Sequence, residues 1–228
     1  MDIVIKNLNK SYGEKIIFKN FEITFKENEV NTIVGKSGCG KTTLLRIISG
    51  MENKNGGEIE GADLGSISYI FQEDRLIDWL TVEENIEFVL KNDYEKQEVK
   101  KISDKYLKMV GIEEYRNFYP QKLSGGLRQR VNIARALSKP SKLIIMDEPF
   151  KSIDIINKMD IMSSFKNIIS REKRTVLFVT HDIEEAVYFD GFIYVLGESP
   201  VTIKKNYKNF EDNLDIREEI KEDIIRTI

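Results

Sequence analysis

The sequence predicts an α/β fold on three observations: short apolar runs that read as strands buried on both faces, stretches of helical periodicity between them, and a glycine-rich turn joining one such strand to a helix. The runs are Leu143-Ile144-Ile145-Met146, Val176 to Val179 and, more weakly, Phe192 to Leu196, and Val30 to Val34 is a further short strand. A strand covered by helices on both faces has no solvent side, so it loses the polar alternation of a half-exposed strand.

Residues 1–30 read as hairpin material. Ile3, Ile5 and Leu8 precede a Tyr12-Gly13 turn, and Phe21, Ile23 and Phe25 alternate with Glu22 and Thr24. The Val30 strand runs into Gly35, and behind it Leu44, Leu45, Ile47 and Ile48 recur at helical spacing until Gly50. Glu58 to Phe71 is glycine-broken and strand-rich. From Thr81 to about Gly111 the pattern is helical and charged, with Val82, Ile86, Val89 and Leu90 on one stripe. The tail from Glu211 to Ile228 reads as helix; no repeat or low-complexity linker interrupts the chain.

With 228 residues, 41% hydrophobic and 32% charged, the chain can bury a substantial core. A net charge of −3 leaves no basic footprint, so no nucleic-acid partner is expected. The single cysteine cannot form an internal disulfide, which fits a reducing compartment. The start, Met-Asp-Ile-Val-Ile-Lys, lacks the basic and apolar parts of a secretory leader. No apolar run approaches the roughly 20 residues that span a bilayer. Any membrane role is therefore expected to be peripheral.

Gly35-Lys36-Ser37-Gly38-Cys39-Gly40-Lys41-Thr42 matches G-x-x-x-x-G-K-[ST] between a strand and a helix. Glycines let successive backbone N–H groups turn inward around a phosphate, where side chains would collide. Lys41 then reaches the β and γ oxygens, Thr42 offers its hydroxyl to Mg²⁺, and the helix points its positive end at the same anion. A glycine turn with an accidental lysine is the plainer alternative, and the strand-before, helix-after context speaks against it. Cys39 is read as a small residue filling the turn, a reactive thiol being the alternative.

The run Leu143 to Met146 ends in Asp147-Glu148, which puts two carboxylates at the ligand-binding edge of an open α/β sheet. Asp147 would hold Mg²⁺ through water, and Glu148 would polarise the water that attacks the γ-phosphate. Adjacent acids at a strand end are also common as simple caps; the phosphate motif in the same chain favours the catalytic reading. His181, the only histidine, also ends an apparent buried strand. A lone histidine there is usually structural, but this sheet edge already carries Lys41, Asp147 and Glu148.

Leu123-Ser124-Gly125-Gly126-Leu127-Arg128-Gln129-Arg130 reads locally as a Gly-Gly turn starting a helix, with Ser124 as N-cap. In order with the phosphate motif, Asp147-Glu148 and His181, it resembles the signature motif of ATP-binding-cassette ATPases, and the resemblance spans Tyr12 to about Leu196. It implies a P-loop NTPase (RecA-like) core with an antiparallel β subdomain and a helical subdomain. The core and β subdomain would take about residues 1–72 and 138–198, the helical subdomain 73–137 and a C-terminal extension 199–228.

The resemblance also implies ATP and Mg²⁺, with the nucleotide contacted from Gly35 through Lys41, Thr42 and Thr43. Tyr12 looks like the aromatic that stacks on adenine. Gln72 looks like the Q-loop glutamine that touches Mg²⁺ and the attacking water, Asp154 in Ser152-Ile153-Asp154 like the D-loop aspartate, and His181 like the switch histidine. Ser124, Gly125 and Gly126 would bind the γ-phosphate held by a second copy of the chain, in an ATP-sandwich dimer.

Phe71 to Asn85, Asp147-Glu148-Pro149-Phe150 and Val176 to Tyr188 look like the nitrate/sulfonate/taurine importer ATPases; thiamine-precursor importers look similar. This implies permease partners in the membrane, indirectly a solute-binding protein, and a peripheral position at the cytoplasmic face. An exporter or non-transport cassette protein is the alternative function. Asp78 departs from the usual proline before Trp79, Lys151 from a small D-loop residue, and the stretch between Gly50 and Ser66 is short; none of these is expected to touch a catalytic position. Trp79 is either a core anchor or part of a docking groove.

Overall fold

The computed structural model describes residues 1–189, 191–208 and 214–228. In chain order the strands and helices are β1 (Ile3–Tyr12), β2 (Lys15–Phe25), β3 (Val30–Gly35), α1 (Lys41–Ile48), β4 (Gly56–Glu60), β5 (Ile67–Ile70), α2 (Val82–Phe88), α3 (Lys96–Met109), α4 (Gly125–Ser138), β6 (Leu143–Asp147), α5 (Ile155–Glu172), β7 (Thr175–Val179), α6 (Ile183–Tyr188), β8 (Gly191–Leu196), β9 (Ile203–Lys208) and α7 (Leu214–Thr227). They form two compact units, Met1–Ile67 with Lys173–Ile228, and Ser68–Glu172.

In the first unit β1 pairs antiparallel with β2 and β4, with Ile5 opposite Ile23 and Ile59. The predicted hairpin turns at Gly13, whose φ of 57° suits glycine. β3 lies between β7 and β8, parallel to both, with Ile33 opposite Val179 and Tyr194. All residues of β3 and β7 are buried, as the apolar run Val176–Val179 of β7 requires; β3 also buries Asn31 and Thr32, and the Asn31 amide donates to the carbonyls of Lys26 and Glu29. The lysine-rich β9 pairs antiparallel with β8 and forms an edge.

Of the tail read as helix, residues 211–213 lie outside the described residues; from Leu214 it is α7. Ile220 and Ile224 pack with Ala186 and Val187 of α6 and Ile193 and Val195 of β8, so α7 completes this unit's core.

In the second unit β5 lies beside β6, and α2, α3 and α4 pack on one another. Thr81 and Glu84 close a capping box at the start of α2. The helical stretch predicted from Thr81 to Gly111 is two helices, because Asp93 and Tyr94 turn back to donate their N–H groups to the Leu90 carbonyl. Asn85, fully buried inside α2, accepts from Ile77 N and donates to the carbonyls of Ile77, Leu80 and Thr81. It thereby shapes the loop that carries Trp79. Trp79 is 79% exposed, which rules out the core-anchor alternative. No helix among the described residues is long and apolar enough to cross a membrane.

Candidate active site

The phosphate loop belongs to the first unit. It leaves β3 at Gly35 and enters α1 at Lys41, with φ of 76° at Gly38 and 122° at Gly40. A Cβ at Gly40 would also come within 2.7 Å of Ile17 Cγ2, so both the backbone and the space demand glycine there. Gly40 brings no capping side chain to α1, which leaves the start of the helix to satisfy its donors in other ways.

Lys41 is 6% exposed, and its ammonium donates to the carbonyls of Gly35 at 2.6 Å and Lys36 at 2.8 Å. The cation is thus folded into the loop's own curve. Cys39 is buried with its sulfur against Gly35, as a turn-filling residue should be. Lys36, Ser37 and Gly38 form the exposed crest, where Lys36 pairs with Glu198 at 2.8 Å, and Thr42 and Thr43 sit half-buried in the first turn of α1.

Tyr12, the last residue of β1, is half exposed. Lys10 lies 4.7 Å from the ring centroid and pairs with Glu52 at 2.8 Å, and the Tyr12 hydroxyl bonds Glu52. Burial and then the Glu52 hydrogen bond raise the phenol's pKa, so the ring is held as a neutral, fixed platform.

His181 is exposed and follows Thr180, just beyond β7. Its neighbours are pinned. Thr180 is buried, donates to Glu185 Oε2 at 2.7 Å and accepts from Asp182 N at 3.0 Å, while Asp182 caps α6.

The acidic pair belongs to the second unit. Asp147 ends β6 buried, and Glu148 has φ of 48°, a left-handed conformation that costs a non-glycine residue about 1–2 kcal/mol. Phe150 anchors the following turn in the core, and Gln129 Nε2 donates to the Pro149 carbonyl at 2.8 Å. Glu148 Oε2 receives Gln72 Nε2 at 3.4 Å and Lys151 Nζ at 2.9 Å. Gln72 and Glu148 therefore meet. Lys151, expected to touch none of the predicted catalytic residues, instead has its ammonium brought by the turn onto the carboxylate of Glu148, which is one of them.

Ser124 caps α4 as expected, its hydroxyl accepting from Leu127 N at 3.3 Å. A Cβ on Gly126 would lie 2.9 Å from the Ser152 carbonyl oxygen, whereas one on Gly125 would meet nothing within 4 Å. Asp154 bonds Asn157 N at 3.1 Å and pairs with Arg130 at 3.2 Å. The Asn157 side chain and backbone, then Arg130, hold its carboxyl below the usual range.

Sequence reasoning did not single out Asp74, which takes both arms of Arg128, or Arg135, which donates to the Asp74 carbonyl. Both contacts cross about sixty residues, and no local pattern encodes them.

No cluster of three His, Cys, Asp or Glu able to hold a metal occurs among the described residues. The predicted donors Thr42, Gln72 and Asp147 are all hard oxygen ligands, which suits Mg²⁺, an ion that keeps waters and leans on substrate phosphates rather than on an all-protein cage.

A glycine-lined phosphate loop and an acid-tipped buried strand define a nucleotide-hydrolysing α/β protein. The family model for ABC transporter matches residues 18–151, and the chain belongs to that family. It is 38% identical over 214 residues to an aliphatic sulfonates import ATP-binding protein SsuB of Bacillus cereus, covering 90% of this chain and 84% of that protein. It is likewise 38% identical over 218 residues to the uncharacterized ABC transporter ATP-binding protein MJ0412 of Methanocaldococcus jannaschii, covering 90% and 80%. Among solved structures, it is similar to the cassette MJ0796 as a dimer in a post-hydrolysis state bound to ADP and Pi, with TM-score 0.81 and 33% identity over 90% of this chain and 98% of that one. A second dimeric MJ0796 structure gives TM-score 0.82 over the same shares.

Proposed function

We propose that this chain is the ATP-binding and ATP-hydrolysing subunit of an importer for aliphatic sulfonates or related small anions, working as an ATP-closed pair of copies beneath permease subunits. The contact that supports it best is Gln72 Nε2 to Glu148 Oε2 at 3.4 Å. It is the meeting of amide and carboxylate needed by a site that orients and polarises one water.

In this reading Lys41 binds the β and γ oxygens, the backbone from Gly35 to Thr43 cradles the phosphates, and Tyr12 stacks on adenine. Glu148 polarises the attacking water, Gln72 orients it, and His181 hydrogen-bonds the γ-phosphate. Thr42, Gln72 and Asp147 would hold Mg²⁺, which supplies charge neutralisation on the phosphate oxygens. Ser124, Gly125 and Gly126 serve the nucleotide of the second copy, with Asp154 beside them. Gly125 supports this, because open space around it means its own fold does not demand a glycine.

The dimeric cassettes support the pair, and the sulfonate-importer relatives support the permease partners, an indirect solute-binding protein and a place at the cytoplasmic face of the membrane. A docking patch is also in reach. Trp79, Phe118 and Tyr119 are exposed, and their segments are knit by Val82 N to Phe118 O at 2.9 Å and Gln121 Nε2 to Asp78 O at 2.9 Å.

The test is ATP binding by titration calorimetry together with sulfonate uptake by vesicles that contain the chain and its membrane partner. Lys41→Ala should lose ATP affinity at least tenfold and abolish uptake. Unchanged binding refutes the cradle, and ATP-driven uptake of a different solute refutes the substrate class.

A further inference from the structure

The turn after β6 carries an ion pair that no motif assigns. Lys151 follows buried Phe150 and precedes the Ser152-Ile153-Asp154 loop. Its N–H approaches the Glu148 carbonyl at 3.4 Å, and its ammonium donates to Glu148 Oε2 at 2.9 Å, so backbone and side chain close the same turn. Gln129 fixes the middle of that turn through the Pro149 carbonyl at 2.8 Å. The Glu148 side chain is 18% exposed and that of Lys151 50%, so the pair is sheltered at the carboxylate end and open at the ammonium end.

We propose that Lys151 is a positioning residue that holds the Glu148 carboxylate in a resting orientation, so that turnover is faster when this ion pair is open. The proposal rests on the reading of Glu148 as the group that polarises the attacking water. A water can be polarised only through a carboxylate lone pair. The ammonium takes one lone pair on Oε2 in a charge-assisted hydrogen bond, and the Gln72 amide approaches the same oxygen. A carboxylate has further lone pairs, so the restraint slows turnover without abolishing it. Lys151 is also the residue through which the Ser152-Asp154 loop reaches Glu148. That loop lies against α4, with the Ser152 carbonyl close to Gly126 and Asp154 paired with Arg130, so a shift of the loop along α4 would carry the ammonium off the carboxylate.

The test is steady-state ATP hydrolysis by the purified full chain, with kcat and the KM for ATP resolved separately in Lys151→Met, Lys151→Arg and Glu148→Gln. Lys151→Met should raise kcat by about two- to fivefold, the scale of a half-exposed ion pair, with KM unchanged. Lys151→Arg restores the cation and should return kcat to the parental value. A kcat that is unchanged or lowered in Lys151→Met overturns the proposal, as does an arginine variant as fast as the methionine one. Glu148→Gln separates the two readings. If it is inactive while Lys151→Met is no faster than the parent, the restraint alone fails; if it turns over normally, the assignment of Glu148 fails and takes the restraint with it.

Discussion

Arg128 grips Asp74 with two arms of its guanidinium, Nε at 2.8 Å from Oδ2 and Nη2 at 2.9 Å from Oδ1. The bond ties α4, which begins at the signature residues, to the loop that carries Gln72. Arg135 reinforces it by donating to the carbonyls of Asp74 at 3.2 Å and Arg75 at 3.0 Å, and Asn132 donates to the Phe71 carbonyl at 3.2 Å. A displacement of this loop is therefore passed to α4 through a planar, two-point contact that a lysine could not reproduce.

The pair has a pH signature. Burial alone would raise the Asp74 carboxyl, but the hydrogen bonds from Arg128 and Leu76 N outweigh it and hold its pKa below the ordinary 3.8. A carboxyl depressed in the folded state stabilises above its unfolded pKa, and that stability is lost as pH falls through the folded value. Asp74→Asn should cost about 1–3 kcal/mol at neutral pH. The Tm gap between parent and variant should close as the pH is taken below 3.8, where the parent's own carboxyl protonates. A gap that stays constant over that range contradicts the pairing.

The two signature glycines should respond oppositely. Gly126→Ala drives a Cβ to 2.9 Å from the Ser152 carbonyl oxygen, so the backbone must shift, at about 1–3 kcal/mol. Gly125→Ala enters open space in the first turn of a helix and should leave stability unchanged or raise it by about 0.5–1 kcal/mol. Its ATPase rate should nevertheless fall at least tenfold if, as proposed, the methyl would stand where a second copy's nucleotide docks. Thermal melts beside ATPase assays check both, and a fully active Gly125→Ala would remove that docking role.

Asn85 and Trp79 separate scaffold from surface. Asn85→Ala would take the side-chain partner from the Ile77 N–H and the Leu80 carbonyl, while the Ile77 and Thr81 carbonyls keep the Leu80 and Asn85 backbone N–H groups, costing about 2–3 kcal/mol. Trp79→Ala should change stability by less than about 0.5 kcal/mol, since the ring is exposed, yet weaken co-purification with the membrane partner. Undiminished capture by that partner would clear Trp79 of the docking role.

The sequence made much of this legible, for identifiable reasons. The phosphate loop reads directly because glycine spacing and backbone geometry are the same constraint, as the positive φ at Gly38 and Gly40 confirms. β6 and β7 read directly because two-sided burial erases polar alternation. The break between α2 and α3 was hidden: it contains neither glycine nor proline, and the turn at Leu90 is made by backbone bonds. The ion pair of Lys151 with Glu148 was hidden too, since an i,i+3 contact outside a helix depends on the left-handed backbone at Glu148, which its side chain does not announce. Trp79 resisted for another reason: a lone tryptophan anchors cores and interfaces alike, and only its exposure decides.

The most direct test of an ATP-closed, two-copy hydrolase is Glu148→Gln, followed by ATPase assay and by size-exclusion chromatography with light scattering, each with and without ATP. Glu148→Gln should bind ATP without turnover and shift from one copy to a stable pair when ATP is present. Normal hydrolysis by the variant, or a single copy at saturating ATP, would contradict this reading.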